Sequence, residues 1–221
     1  MARNKKKIDT VLFDFDGTIM DTNEVIIASW QHTFRELTGE EGDLEKILDT
    51  FGEPLEFSIG KLFPSFDMQK VLATYREFQH KHYEEMISLF PGVQEVIDYL
   101  SENDYKMGLV TNRLRYSTDI GMKKYNLDKK FGTVVACHEA PRNKPFADPI
   151  LLAIEQLESS PENSILVGDS ANDIISGKNA DIITVRVAWA MASDGSHDEE
   201  EVEPDYTIER PDELIQILIE I

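Results

Sequence analysis

The chain has 221 residues, of which 41% are hydrophobic, so it can bury the core of one large domain or of a domain with a smaller insert. Its formal net charge of −20, from 42 acidic and 22 basic residues, disfavours nucleic acids and anionic membranes as partners. No apolar run approaches the length of a membrane span, and the single cysteine, Cys137, cannot form an internal disulfide. We therefore expect a soluble, cytoplasmic protein, in which a site for an anion needs local positive charge.

Short apolar runs alternate with helical patterns along most of the chain. The first run, Val11-Leu12-Phe13, ends in Asp14-Phe15-Asp16-Gly17-Thr18 and predicts a buried strand that breaks into a turn. Strands separated by helices in this way indicate βαβ units, and therefore an α/β fold with a parallel sheet. Further strands are predicted at 107–111, 133–136, 165–168 and 182–185, with helices at 150–157 and 172–179.

Residues 21–87 interrupt this alternation with a block that is helical throughout. Ile26 and Trp30 fall on one face of its first helix. Asp21 and Glu24 predict a capping box at the start of that helix. A strand followed by a helical block and then by a βα alternation favours a core with an insert. We predict a core of residues 1–20 and 88–221 and an all-helical cap of residues 21–87.

Two carboxylates follow the first predicted strand at a spacing of two residues. Asp14 and Asp16 should therefore emerge on the same side of the chain. A turn in which an Asp caps the backbone before Gly17 explains one of them but not both. Two close carboxylates raise each other's pKa or recruit a cation, and Mg²⁺ binds to one or two carboxylates while it keeps several waters. The pair thus suits a hard divalent cation such as Mg²⁺.

A second acidic group, Gly168-Asp169-Ser170-Ala171-Asn172-Asp173, also stands at the end of a predicted strand. Capping of the next helix explains part of this group, with Ser170 as the N-cap and Asp173 in the first turn. Asp169 lies before that helix and is better placed to bind a metal together with Asp14. Because ligands bind at the carboxyl ends of strands in open α/β sheets, we expect the two acidic groups to meet.

Polar side chains also follow the strand at 107–111 and precede the helix at 150–157. Thr111 and Asn112 can bind phosphate oxygens through a hydroxyl and backbone amides, or they can simply cap a helix. Lys144 is followed by Pro145, and a lysine in such a loop is commonly a surface residue. In the alternative interpretation, Lys144 supplies the positive charge that an anion site requires.

In chain order, these four segments resemble the motifs of the haloacid-dehalogenase-like phosphohydrolases. The resemblance covers nearly the whole chain and implies a Rossmann-like core, and the helical block after the first motif resembles the first cap type of this family. Asp14-x-Asp16-Gly17-Thr18 is similar to the first motif, Thr111 to the second, Lys144 to the third and Gly168-Asp169-x3-Asp173 to the fourth.

The resemblance also implies a role for each of these residues. Asp14 is the expected nucleophile, which forms an aspartyl-phosphate, and Asp16 is the expected general acid and base. Thr111 and Lys144, with Asn112 beside them, are expected to hold the phosphoryl oxygens. The expected ligands of Mg²⁺ are the Asp14 side chain, the Asp16 backbone carbonyl and the Asp169 side chain, with Asp173 supporting them.

The substrate is expected to be a small phosphorylated molecule chosen by the cap. The turn Phe51-Gly52-Glu53-Pro54 resembles the substrate-facing loop of the family's caps, so Gly52 is a candidate substrate contact, although an ordinary helix connection explains it equally well. Arg76, His80 and His82, on the long cap helix, are more readily explained as surface residues than as ligands.

Finer resemblances, in segments such as 21–24, 75–78 and 177–180, are to bacterial pyrophosphatases, so pyrophosphate is the expected substrate. A phosphoglycolate phosphatase, a sugar-phosphate phosphatase and a phosphomutase remain open as alternatives. An alternative of a different class is a non-enzymatic regulator on the same fold. Such a regulator is expected to lack Asp14, Asp16 or Asp169, and this chain has all three.

Overall fold

The computed structural model describes residues 8–51, 53–191 and 202–221, so the predicted substrate contact Gly52 lies outside the described residues. Short apolar segments form the strands, as the sequence predicts. The strands are β1 (Thr10–Phe13), β2 (Met20–Asp21), β3 (Ser88–Leu89), β4 (Lys106–Val110), β5 (Thr133–Val135), β6 (Ser164–Gly168), β7 (Ile183–Val187) and β8 (Tyr206–Ile208).

Helices fill most of the chain between these strands, and their apolar residues recur at the helical spacing. The fifth helix, for example, buries Val93, Val96, Ile97 and Leu100, which share one face. No helix in the described ranges is long and apolar enough to cross a bilayer. The helices are α1 (Asn23–Thr38), α2 (Leu44–Leu48), α3 (Leu55–Leu62), α4 (Met68–Met86), α5 (Val93–Glu102), α6 (Arg115–Lys124), α7 (Asp148–Gln156), α8 (Ala171–Asn179) and α9 (Glu213–Glu220).

Six strands form one parallel sheet in the order β5-β4-β1-β6-β7-β8. The central strand β1 lies between β4 and β6, with Phe13 opposite Leu109 on one side and Val167 on the other. This register brings the residues that follow the three strands to the same edge of the sheet. The predicted α/β fold with a Rossmann-like parallel sheet is confirmed.

Helices cover both faces of this sheet, and the side chains of β1, β4, β5 and β6 alternate between two hydrophobic clusters. Val11 and Phe13 of β1 belong to the larger cluster, together with residues of α5 and α9. Leu12 belongs to the smaller cluster, where it packs with Ile150 and Ile154 of α7. Burial on both faces explains why the strands are continuous apolar runs.

Helices α1–α4 lie between β2 and β3 and have a hydrophobic cluster of their own. Trp30 is almost fully buried in it, against the rings of Tyr75 and Phe63 at centroid distances of 4.5 and 6.2 Å. Strands β2 and β3 pair in antiparallel orientation, with Met20 opposite Leu89. This pair is not predictable from the sequence, because two residues are too few to show an alternating pattern.

The predicted capping box at Asp21 and Glu24 is wrong. Helix α1 begins at Asn23, and its N-cap residue is Thr22, whose side chain makes no capping hydrogen bond. Asp21 belongs to β2, where it pairs with Ser88, and its carboxylate accepts a hydrogen bond from the Asn23 amide at 3.1 Å. Because Asp21 pairs within β2, the N-cap of α1 is Thr22 and not Asp21.

Replacement of Trp30 by Ala is expected to destabilise the protein by about 3–5 kcal/mol, because it removes a large buried ring and leaves a cavity. Denaturant unfolding followed by circular dichroism would measure this loss. Phe57→Ala is the matched control, since Phe57 is 59% exposed and should cost little. Equal losses for the two variants would contradict the packing described for Trp30.

Candidate active site

The residues that follow β1, β4 and β6 line one cavity of about 450 Å³ at the edge of the sheet. Asp14 extends the strand pairing, as its amide donates to the Val167 carbonyl at 2.9 Å. Thr111 does the same, with its amide 3.0 Å from the Val135 carbonyl. The sheet therefore brings together the predicted residues Asp14, Thr111 and Asp169, as their positions at strand ends imply.

Lys144 is buried at the centre of this site rather than on the surface. Its ammonium donates to Asp14 Oδ1 at 2.6 Å, to Asp173 Oδ1 at 2.5 Å and to the Val110 carbonyl at 2.9 Å. Burial alone would lower the pKa of Lys144, but the Asp14 and Asp173 carboxylates raise it above its usual value. Lys144 is therefore a fixed positive charge beside Asp14.

Asp173 joins this charge to the start of α8. Its Oδ2 accepts hydrogen bonds from the Ser170 amide at 3.1 Å and from the Ser170 hydroxyl at 2.6 Å, and Ser170 and Asp173 form a capping box. Because Oδ1 is held by Lys144, both carboxylate oxygens have protein partners. Asp173 thus caps the helix and orients Lys144, which leaves Asp14 and Asp169 as the freer carboxylates.

Asp14, Asp169 and Asp173 form a buried acidic cluster, in which the ligand oxygens lie within 4.8 Å of one another. Gly17 permits the close approach of Asp169, because a Cβ at Gly17 would lie 2.1 Å from Asp169 Oδ2, and its φ of +75° suits glycine. Such an oxygen donor set fits a hard divalent cation. The Asp16 carboxylate is not part of the cluster.

The pKa values in the cluster show the same excess of negative charge. Burial raises the pKa of Asp14 to about 7; Lys144 opposes this shift, while Asp173 and Asp16 add to it. Burial, followed by the Asp14 and Asp173 carboxylates, raises the pKa of Asp169 well above its usual range. One ammonium does not neutralise three buried carboxylates, which is the condition under which a site recruits a cation.

Asp16 faces the cavity from a different environment. Both of its carboxylate oxygens accept from Arg113 Nε, at 2.7 and 2.9 Å, and Oδ1 also accepts from the Thr22 hydroxyl at 2.8 Å. The Arg113 guanidinium lies 4.8 Å from the centroid of the Tyr83 ring. Sequence reasoning missed Arg113, although its position two residues after Thr111 at a strand end was an available signal.

Thr111 and Asn112 line the cavity but have partners within the protein. The Thr111 hydroxyl accepts from the Arg113 amide at 3.1 Å, and the Asn112 side-chain amide donates to the Lys144 carbonyl at 3.2 Å. These contacts connect the second predicted motif to the third. Binding of phosphate by the two side chains stays a prediction.

Residues of the helical block also line the cavity. Its contributions come from α4, from the start of α3 with the residues before it, and from the start of α1, and they include Arg76 and His80, for which a surface position was predicted. Both side chains are exposed, and His80 stacks on Tyr116 at a centroid distance of 5.1 Å. They therefore lie at the cavity without being buried in it.

Replacement of Asp169 by Asn is expected to stabilise the metal-free protein, because it removes one of the buried carboxylates that repel each other. The pKa of Asp14 is raised from 3.8 to about 7 on folding, so the folded state binds more protons over that range and stability falls as the pH rises through it. In the presence of a chelator, the melting temperature of Asp169→Asn should exceed that of the wild type, by more above pH 7 than at pH 4.

Asp181→Asn is a suitable control, because Asp181 is exposed and its positive φ of 56° is tolerated by Asn. Its melting temperature should match that of the wild type at both pH values. A variant Asp169→Asn that melts below the wild type above pH 7 would contradict the charge excess described here.

Comparisons with known proteins extend over almost the whole chain. The pyrophosphatase PpaX of Bacillus mycoides (strain KBAB4) is 35% identical over 215 residues, which cover 97% of this chain and 99% of that protein. A haloacid dehalogenase-like family protein from Streptococcus pneumoniae has the same fold, with a TM-score of 0.82 and 23% identity. The match covers 95% of this chain and 98% of that chain. A predicted phosphoglycolate phosphatase from Haemophilus somnus 129pt also has this fold, with a TM-score of 0.81 and 18% identity. The match covers 97% of this chain and 99% of that chain.

The family model that matches this chain describes a haloacid dehalogenase-like hydrolase and covers residues 11–187, from β1 to the end of β7. This range includes every described residue of the acidic cluster, Lys144 and Arg113. The predicted enzyme class, a phosphoric monoester or pyrophosphate hydrolase, is confirmed. The chain belongs to the haloacid dehalogenase-like hydrolases.

Proposed function

We propose that this phosphate hydrolase cleaves pyrophosphate, with Asp14 as its nucleophile and Mg²⁺ as its metal. The observation that carries the mechanism is the buried contact of 2.6 Å between Lys144 Nζ and Asp14 Oδ1 beside the acidic cluster. The choice of pyrophosphate is supported by the 35% identity to a pyrophosphatase over 97% of the chain.

Asp14 is suited to attack phosphorus because its position is fixed from two sides. Its amide extends the sheet, and its carboxylate is held by Lys144. Attack by Asp14 breaks the bond from phosphorus to the leaving oxygen and forms an aspartyl-phosphate, which water then hydrolyses. Lys144 and Thr111 would hold the equatorial phosphoryl oxygens, so that one anion can approach another.

Asp16 is the proposed general acid and base, because it lies two residues from Asp14 and faces the same cavity. The leaving oxygen would take its proton from Asp16, and Asp16 would later remove a proton from the attacking water. Its side chain is 29% exposed, whereas that of Asp14 is 9% exposed. This difference in environment would allow one carboxylate to act as the acid and the other as the nucleophile.

A divalent cation fits the oxygen donors at this site. The Asp14 and Asp169 carboxylates and the Asp16 backbone carbonyl would hold it, with Asp173 supporting the arrangement through Ser170 and Lys144. When bound, Mg²⁺ would neutralise charge on the acidic cluster and on the phosphoryl oxygens. It would also supply positive charge that a protein with a net charge of −20 needs in order to bind an anion.

We further propose that residues 21–87 act as the cap over this site. The block has its own hydrophobic cluster and contributes Phe51, Leu55 and Tyr75 to the cavity wall. These apolar and aromatic side chains would exclude bulk water once a substrate is bound, which strengthens the contacts of Lys144 and Asp16. The residues that set specificity would then include members of this wall.

Removal of divalent metal with a chelator is expected to abolish pyrophosphate hydrolysis, and Mg²⁺ is expected to restore it, because three buried carboxylates would otherwise face an anionic substrate. Phosphate release measured across pyrophosphate, phosphoglycolate and sugar phosphates would test metal and substrate together. Full activity in excess chelator would contradict the metal requirement. A clear preference for another substrate in the screen would contradict the choice of pyrophosphate alone.

Asp14→Asn is expected to lower turnover by several orders of magnitude, because it removes the nucleophilic anion while it keeps the size of the side chain. Asp16→Asn should retain metal affinity through its backbone carbonyl, yet lose about 10²–10⁴-fold in rate. Beryllium fluoride, a mimic of a phosphoryl group on a carboxylate, should attach to the wild type but not to Asp14→Asn. Near-normal turnover in Asp14→Asn, with Asp181→Asn as control, would exclude Asp14 as the nucleophile.

A further inference from the structure

Arg113 is a buried cation on the side of the cavity where Asp16 lies. Its side chain is only 8% exposed, whereas that of Asp16 is 29% exposed. Both hydrogen bonds from the Arg113 side chain to described residues come from Nε. Within the described part of the chain, the two terminal NH₂ groups of Arg113 therefore have no hydrogen-bond acceptor, although they belong to a residue that lines the cavity.

The other cations that line the described cavity are engaged differently. Lys144 donates to Asp14 and Asp173, on the side of the nucleophile. Arg76 lies 3.7 Å from Glu56, and its side chain is 44% exposed, so solvent screens its charge. Arg113 is thus the buried cation of the cavity that can offer unused donors to a second negative charge.

We propose that Arg113 recognises a negative charge on the leaving group, so that the site prefers phosphoryl donors with an anionic leaving group to esters of neutral alcohols. This inference rests on the proposed function, since the role of Asp16 defines where the leaving oxygen lies. A guanidinium presents a planar set of donors that matches the oxygens of a phosphate or a carboxylate, and such charge-assisted bonds are strong.

The geometry supports this assignment because the general acid and the guanidinium are in direct contact. An oxygen that takes a proton from Asp16 lies within a few ångströms of Arg113, whose Nε is 2.7 Å from Asp16 Oδ2. When the bond between phosphorus and the leaving oxygen breaks, that oxygen keeps the electron pair and accepts the proton from Asp16. Arg113 exchanges no proton, and it binds the oxygens that remain on the leaving phosphate or carboxylate.

The simpler alternative is that Arg113 only orients Asp16, which is then a positioning role. Under that alternative, loss of Arg113 impairs the protonation of every leaving group to the same extent. Under our proposal, the loss is larger for anionic leaving groups. The deciding quantity is therefore the ratio of kcat/KM for an anionic leaving group to kcat/KM for a neutral one.

The test compares wild type, Arg113→Gln and Arg113→Lys on pyrophosphate and phosphoglycolate, which have anionic leaving groups, and on glycerol 2-phosphate, which has a neutral alcohol. The ratio is expected to fall about 10–100-fold in Arg113→Gln, the size of a lost hydrogen bond to a charged group. Arg113→Lys keeps the charge but not the fork of donors, so its ratio should fall less.

Arg115→Gln is the matched control, because Arg115 is also an arginine of this segment but pairs with Glu139 and does not line the cavity. Its ratio should equal that of the wild type. Thermal melting identifies the folded variants, and Arg113→Lys serves if Arg113→Gln does not fold. An unchanged ratio in a folded Arg113 variant overturns the proposal, as does a wild type that hydrolyses glycerol 2-phosphate as well as both anionic substrates.

The same measurements separate this inference from the proposed function. If the wild type prefers phosphoglycolate to pyrophosphate, the choice of pyrophosphate fails, while a fall of the ratio in Arg113→Gln still supports recognition of charge by Arg113. If the wild type prefers pyrophosphate and the ratio does not change, the proposed function stands and the role of Arg113 is overturned.

Discussion

The burial of the Lys144 ammonium between Asp14 and Asp173 is the interaction on which the site depends. It joins the end of β1 to the first turn of α8, and the Lys144 backbone also accepts a hydrogen bond from Asn112 after β4. Removal of one member of a buried ion pair leaves an uncompensated charge, at a typical cost of about 3–5 kcal/mol. The Lys144 side chain thus joins the ends of two strands, β1 and β4, to the start of helix α8.

The buried carboxylates of the site outnumber the buried ammonium of Lys144. Asp169 adds a third carboxylate, which approaches the turn at Gly17 closely because that residue has no side chain. Asp16, only two residues from Asp14, has an arginine partner instead of a lysine and greater exposure. Two carboxylates of one short turn therefore differ in environment, which is the usual basis for a division of labour between nucleophile and acid.

Much of this arrangement was predictable from the sequence, because strands buried on both faces read as apolar runs and parallel strands place their carboxyl ends together. Asp14, Thr111 and Asp169 meet for that reason. The burial of Lys144 could be predicted only from the family resemblance, since its partners are distant in the chain. The position of Arg113 at a strand end was a signal for a place near the cavity, but its long-range ion pair with Asp16 has no local signature. The roles assigned to these residues stay predictions.

The pairing of β2 with β3 has a consequence for how this architecture can vary. Strand β2 ends at Asp21 and strand β3 begins at Ser88, and these two residues face each other across an antiparallel ladder. Opposed residues in such a ladder lie about 5 Å apart, a gap that a two-residue hairpin turn can close. Helices α1–α4 therefore take the place of the hairpin loop that would otherwise connect β2 to β3. Segments of very different length can be exchanged at this point without altering the strand order of the sheet.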